Sequence, residues 1–139
     1  MKLLLIGSST GGPNQLKFLL KDLHIKNTCV VIAQHMSSNY LSSFVNKFNE
    51  ESVNEVRLLE DKELLANKIY ICAKNTILTG NLSLIALWQD VQSSFKPSVD
   101  LLFHSAVELA KTNKILAVIL TGMGDDGAKG LLELYKAGV

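Results

Sequence analysis

The chain has 139 residues, 47% of them apolar and 19% charged, which fits one soluble globular domain able to build its own core. Lysine and arginine number 14 against 13 acids, a net charge of +1, so nothing here captures nucleic acid or an anionic membrane by charge. No apolar run reaches the roughly 18 residues of a membrane span, and Leu3–Ile6 is too short for a secretory signal, so a cytoplasmic protein is expected.

Leu3–Ile6 reads as a short, fully buried strand ending in the turn-rich Gly7-Ser8-Ser9-Thr10-Gly11-Gly12-Pro13. Pro13 suits the first turn of a helix, where an N–H would have no partner anyway. That helix is predicted to run to Leu23, with Leu16, Leu19, Leu20 and Leu23 on one face. Thr28–Ala33 is a second β-branched apolar run, followed by a polar turn and a helix around Leu41–Phe48. Glu55–Leu59, Lys68–Ala73, Thr76–Leu78 and Leu82–Trp88 are short strand candidates, and Gly80-Asn81 marks a turn between two of them. Pro97 opens a further helix whose Val99, Leu102, Phe103, Ala106, Val107 and Ala110 keep the 3.6-residue period. Ile115–Leu120 is the clearest strand, Gly122–Gly127 a glycine-rich turn and Ala128–Tyr135 a last helix.

Strands alternating with helices predict an α/β domain, a doubly wound and mostly parallel sheet with helices on both faces and room for a short hairpin in the middle. Cys29 and Cys72 form no CxxC pair and read as two reduced core thiols. In such sheets sites form beyond the carboxyl ends of the strands. Ser9 follows the first strand, His35 the second, and Asp125 with Asp126 the strand ending at Leu120. A nucleophile, a base and an orienting carboxylate can therefore converge on one edge.

Gly7-Ser8-Ser9-Thr10-Gly11 satisfies G-x-S-x-G, the sharp strand-to-helix turn that projects a serine hydroxyl. A free serine is a poor nucleophile, and histidine is the side-chain type suited to take its proton near neutrality. A glycine-rich turn after a first strand also cradles phosphate, but Pro13-Asn14 stands where a P-loop requires Lys-Ser/Thr. The dinucleotide pattern fails as well, with Gln34-His35 where an acid would end the second strand. His24 and His104 read as surface residues, while Asp125 and Asp126 read equally as turn residues before a helix or as the carboxylate of a triad.

Four phrases carry a resemblance: IGSSTGGP (Ile6–Pro13), AQHM (Ala33–Met36), KPSVDLLFHS (Lys96–Ser105) and LTGMGDDGAKG (Leu120–Gly130). In this order and spacing, over essentially the whole chain, they resemble the catalytic domain of the chemotaxis protein-glutamate methylesterase, CheB. The resemblance implies that Ser9 is the nucleophile, His35 the general base and Asp126, directly before Gly127, the third triad member. It also implies that the backbone N–H of Met123 is an oxyanion-hole donor and that Thr10 neighbours the nucleophile. The implied reaction removes methyl esters from receptor glutamates and releases methanol; deamidation of receptor glutamines at the same site is implied too. The implied partner is the methylated cytoplasmic region of chemotaxis receptors, with no metal and no organic cofactor.

The family usually carries an N-terminal receiver domain and continues beyond the last helix seen here. Residues 1–139 are thus expected to be a catalytic domain truncated at its C-terminus and lacking the receiver. Phe95-Lys96 replaces the His-Arg that usually precedes Pro-Ser-Val-Asp, and Cys72-Ala73-Lys74 replaces a common Ala-Pro-Gly turn. A hydrolase of the same fold acting on another ester or amide, and an inactive binding module, are the alternatives.

Overall fold

The computed structural model describes residues 1–120 and 124–139. Its elements follow the chain as β1 (Lys2–Ser8), α1 (Gly12–Leu20), β2 (Thr28–Gln34), α2 (Ser38–Glu51), β3 (Val56–Leu59) and β4 (Glu63–Leu64). Next come β5 (Ile69–Cys72), β6 (Thr76–Thr79), β7 (Ile85–Trp88), α3 (Val99–Ser105), a 3₁₀ turn at Glu108–Lys111, β8 (Lys114–Ile119) and α4 (Ala128–Lys136). Among the described residues, β3, β5, β2, β1 and β8 form one sheet in that order, every pair parallel.

Because side chains alternate across a strand, β2 feeds both faces at once. Val30 and Ile32 pack with Leu16 and Leu20 of α1 and with Leu41, Phe44 and Phe48 of α2. Cys29, Val31 and Ala33 point the other way, into a cluster with Leu102 and Phe103 of α3 and Leu134 of α4. Helices therefore cover both faces, as the alternation predicts. β4, β7 and β6 form a separate antiparallel sheet, in which β6 and β7 make the expected hairpin. At its turn Gly80 takes φ +117°, and a Cβ there would lie 1.9 Å from the carbonyl oxygen of Ser83. Only glycine fits that bend.

Three elements differ from the sequence reading. α1 stops at Leu20, and Leu19 and Leu23 are each 50% exposed, so only Leu16 and Leu20 of that leucine face are core. The helix after Pro97 begins at Val99 because the Ser98 hydroxyl caps it, accepting from Leu101 N at 3.1 Å. It ends at Ser105, and the apolar period then continues through the 3₁₀ turn. The two-residue β4 carries too little pattern to be read from sequence.

α4 lies close on α3 at Gly130, where a Cβ would stand 2.6 Å from Phe103 Cβ and 3.2 Å from Asp100 Cα. Alanine would gain roughly 1 kcal/mol of helix propensity. The contact forbids it, since neither neighbouring atom is a flexible side-chain end. Gly130→Ala is expected to lose about 1–3 kcal/mol net, read as a lower urea midpoint at unchanged slope. An unchanged or higher midpoint would contradict the close packing.

Burial pushes the Cys72 thiol up to about 12, against a small opposing hydrogen bond with Thr76. Burial, then the neighbouring Cys72 and Glu63, likewise push Cys29 up to about 12. Both should resist a thiol reagent at pH 8 in the native state and react once urea unfolds the chain. Unfolded thiols ionise near 9.0 and folded ones near 12, so stability should fall as pH rises through that window. Rapid native labelling of either thiol would overturn this.

Candidate active site

The site follows from strand register. Gly7 of β1 stands opposite Ala33 of β2 on one side and Ile119 of β8 on the other, and Ser8 stands opposite Gln34. The carboxyl ends of three adjacent strands are thus level, and Ser9 and His35 are each the next residue out. β1 leads to β2 on one side and pairs with β8 on the other, which makes this edge the topological switch point. His35 N extends the ladder by donating to the Ser8 carbonyl at 2.9 Å. Past Ser9 the chain turns sharply, with Gly12 N donating to the Ser9 carbonyl at 2.8 Å and Gly11 at φ +81° starting α1.

Ser9, His35 and Asp126 line one cavity of about 70 Å³, together with Gly7, Val99 and Gly124. His35 Nε2 lies 2.7 Å from Asp126 Oδ2, with the imidazole 18% and the carboxylate 4% exposed. A carboxylate only accepts, so Nε2 carries the proton and Nδ1 keeps the lone pair. The ring is stacked on Phe95, with centroids 4.9 Å apart and planes 11° from parallel.

Asp126 is held as firmly as it holds. Its Oδ2 also accepts from Val99 N at 2.8 Å and its Oδ1 from Asp100 N at 2.9 Å, the first two N–H groups of α3. Those groups have no partner within the helix, and a negative charge there is favoured. Asp100 then accepts from Gly130 N at 2.8 Å, tying α4 to the same point. Glycines make room for this. A Cβ on Gly7 would lie 2.4 Å from Val99 Cγ1, and one on Gly127 2.7 Å from the same atom.

The structure therefore brings together three of the residues singled out in the sequence: Ser9, His35 and Asp126. Thr10, next along the turn from Ser9, is exposed. Met123 lies outside the described residues. Asp125 is exposed and gives only its carbonyl to Ala128 N. His104 is 69% exposed and pairs with Glu133 across α3 and α4, away from the cavity. Among the described residues no His, Cys and acid group forms a metal cluster.

Two residues of the site were not assigned roles from sequence. Phe95 stood out only as a departure from the family phrase. Gln34 lies 1% exposed and bonds to both sides of the site: Nε2 donates to the Ser9 carbonyl and to the His35 carbonyl, each at 2.9 Å. Its Oε1 accepts from the Ser8 hydroxyl. An amide ending the apolar stripe of Val30 and Ile32 was the available signal, since a buried polar group needs partners.

Serine, imidazole and carboxylate thus line one cavity at the carboxyl edge of a doubly wound α/β sheet. The sequence profile of the CheB methylesterase family matches residues 4–139, and the chain belongs to that family. It is 36% identical over 143 residues to a "protein-glutamate methylesterase/protein-glutamine glutaminase" of Borreliella burgdorferi, covering 99% of this chain and 37% of that protein. A Saccharophagus degradans relative of the same name, numbered 1, is 38% identical over 144 residues, covering 99% of this chain and 39% of the relative. The crystal structure of the Thermotoga maritima CheB methylesterase catalytic domain superposes with TM-score 0.91 at 30% identity, covering 99% of this chain and 76% of that one. The chain thus spans about two-fifths of the length of these curated relatives.

Asp126→Asn must set an NH₂ against a backbone N–H whichever way the amide turns, because both carboxylate oxygens accept from α3. The substitution is expected to cost about 1–3 kcal/mol of stability, read from urea midpoints. Asp125→Asn should leave the midpoint within about 0.5 kcal/mol. Equal midpoints for the two variants would refute the bonding described for Asp126.

Proposed function

We infer that this domain is a serine hydrolase that removes methyl esters from glutamate side chains of cytoplasmic chemotaxis-receptor regions, releasing methanol. The observation that carries the reading is the 2.7 Å His35–Asp126 pair, lining the same cavity as Ser9 in a chain of the CheB methylesterase family. Ser9 Oγ attacks the γ-carbonyl carbon of the ester, and His35 takes its proton at Nδ1, the nitrogen that Asp126 leaves unused. Asp126 holds the tautomer and stabilises the imidazolium without taking the proton itself. The tetrahedral oxyanion is met by backbone donors, the Met123 N–H among them, one such donor being worth about 2.7–4 kcal/mol in the transition state.

The imidazolium then protonates the departing methoxide, and methanol leaves an acyl-serine. Water enters, gives its proton to His35 and attacks the acyl carbon. Collapse returns the proton to Ser9 and frees the glutamate carboxylate. Thr10, the next residue along the chain, is taken as the nucleophile's neighbour. A primary amide follows the same course with ammonia leaving, which favours receptor glutamines as a second substrate, in keeping with the double name of the relatives. No helix among the described residues is long and apolar enough to cross a membrane.

The test is methanol release from membranes bearing methylated receptors. Ser9→Ala is expected to abolish turnover while the protein still unfolds cooperatively in urea. Asp126→Asn should slow it by roughly 10²–10⁴ and Asp125→Asn by less than about fivefold. Methanol release by folded Ser9→Ala at the unsubstituted rate would end the serine mechanism. Turnover confined to other esters would end the receptor assignment alone.

A further inference from the structure

The side chain of Gln34 joins the two loops that carry the reacting groups. β1 and β2 end level, so the backbone of Ser9 and that of His35 leave the sheet side by side, with Gln34 beneath both. Its two Nε2 hydrogens are both used, one on the Ser9 carbonyl and one on the His35 carbonyl, at 2.9 Å each. Its Oε1 is occupied by the Ser8 hydroxyl, itself 4% exposed. The amide orientation follows from these partners, because turning it over would set an oxygen against two carbonyl oxygens. α1 closes over the group at Gly12, where a Cβ would lie 2.3 Å from Gln34 Oε1 and 2.8 Å from Ser8 Oγ. The turn after β1 thus needs glycine at position 12 so that a fully bonded polar cluster fits beneath it.

We propose that Gln34 is a positioning residue, whose amide fixes the distance between the serine and histidine loops by bonding to the backbone of both at once. Neither bond touches the hydroxyl or the imidazole, so both remain through every step of acyl transfer. Ordinary strand pairing cannot do this, because the ladder between β1 and β2 ends where these residues begin, with the single bond from His35 N to the Ser8 carbonyl. Removing the amide takes the side-chain donor from the His35 carbonyl, leaves the Ser9 carbonyl with Gly12 N alone, and lets the loops separate. A misplacement of about 1 Å costs on the order of a hundredfold in rate.

This inference rests on the serine-hydrolase reading above, and the test separates the two. A fluorophosphonate probe reports how fast the Ser9 hydroxyl reacts, without needing a receptor. In the full chain, Gln34→Met is expected to label about a hundredfold more slowly than the unsubstituted protein. Ser8→Ala releases only the Oε1 end and should produce a smaller loss. The double variant should be no slower than Gln34→Met alone, since both act through one amide.

Gln34→Glu supplies the readout that a merely structural role would not move. Ionised, it offers no donor; protonated, it regains one. Burial and two facing carbonyl oxygens raise such a carboxyl well above its free value, so the labelling rate relative to the unsubstituted protein should climb as pH falls from about 9 to 5. If Gln34→Met does not fold, Ser8→Ala and the Gln34→Glu pH ratio carry the test. Rates for folded Gln34 variants within threefold of the unsubstituted protein, additive losses in the double variant, or a flat pH ratio would each overturn the proposal. Failure of the unsubstituted protein to label at Ser9 would instead overturn the serine mechanism.

Discussion

The Asp126 carboxylate accepts from the imidazole of His35 and from the first two N–H groups of α3, and the site hangs from that one group. Each bond limits the others. α3 cannot shift along its axis without moving the carboxylate, and the carboxylate cannot move without releasing the ring. Val99, whose N–H is one of the donors, presses its methyls toward Gly7 and Gly127, so the helix start is located by shape as well as by bonding. Asp100 then passes the constraint to α4 through Gly130 N. A residue that a triad needs for its charge is thereby also an end cap for a core helix. Such double duty explains how a 4% exposed carboxylate is tolerated: its oxygens are met by donors that would otherwise lack partners.

The same economy recurs on the opposite face of the sheet. β1 and β2 present apolar side chains to α1 and α2 until their last residues, Ser8 and Gln34, where the face turns polar but stays buried. A buried amide and hydroxyl are costly unless every strong hydrogen-bonding group is used. Here the hydroxyl donates to the amide oxygen and the amide hydrogens reach two carbonyls just past the ladder. Between Lys2 and Ser8, and between Thr28 and Gln34, this face of the two strands carries only apolar side chains. Chemistry and backbone satisfaction are solved by one cluster.

Much of this is legible in the sequence, for physical reasons that can be named. Parallel strands buried on both faces must be continuous apolar runs, so Leu3–Ile6 and Thr28–Ala33 announce themselves; Ile115–Leu120 is equally apolar, yet Leu116 is 62% and Ile119 39% exposed. Glycine is demanded where side chains press on the backbone, Val99 on Gly7 and Gln34 with Ser8 on Gly12, so these two flank the serine turn. What stays illegible is decided by tertiary contacts. The leucines of α1 keep helical spacing through Leu23, yet the helix ends at Leu20. Past that point Lys21 O accepts from Val53 N at 2.8 Å, so the chain is held by the end of α2. Two-residue β4 exists only because β7 pairs with it. Gln34 shows in the sequence only as the amide that ends the stripe of Val30 and Ile32, and its partners depend on a register that one strand alone cannot reveal.

His35 and Ser9 are each held by specific neighbours. The imidazole has two rotatable bonds. Asp126 fixes it at Nε2, and the Phe95 ring, nearly parallel at 4.9 Å, covers one face. Phe95 itself is confined by the loop after β8, since a Cβ on Gly124 would lie 3.0 Å from its ring tip. An aromatic ring supplies such a wall as flatly as a histidine can, so Phe95 in place of the family's usual residue keeps a stacking surface for His35. What it forgoes is a polar edge. The serine is restrained through its carbonyl by Gln34 and Gly12 N, leaving its hydroxyl at the cavity. Pre-arrangement of this kind spends folding energy in advance, so that reaching the transition state requires little further ordering of these groups.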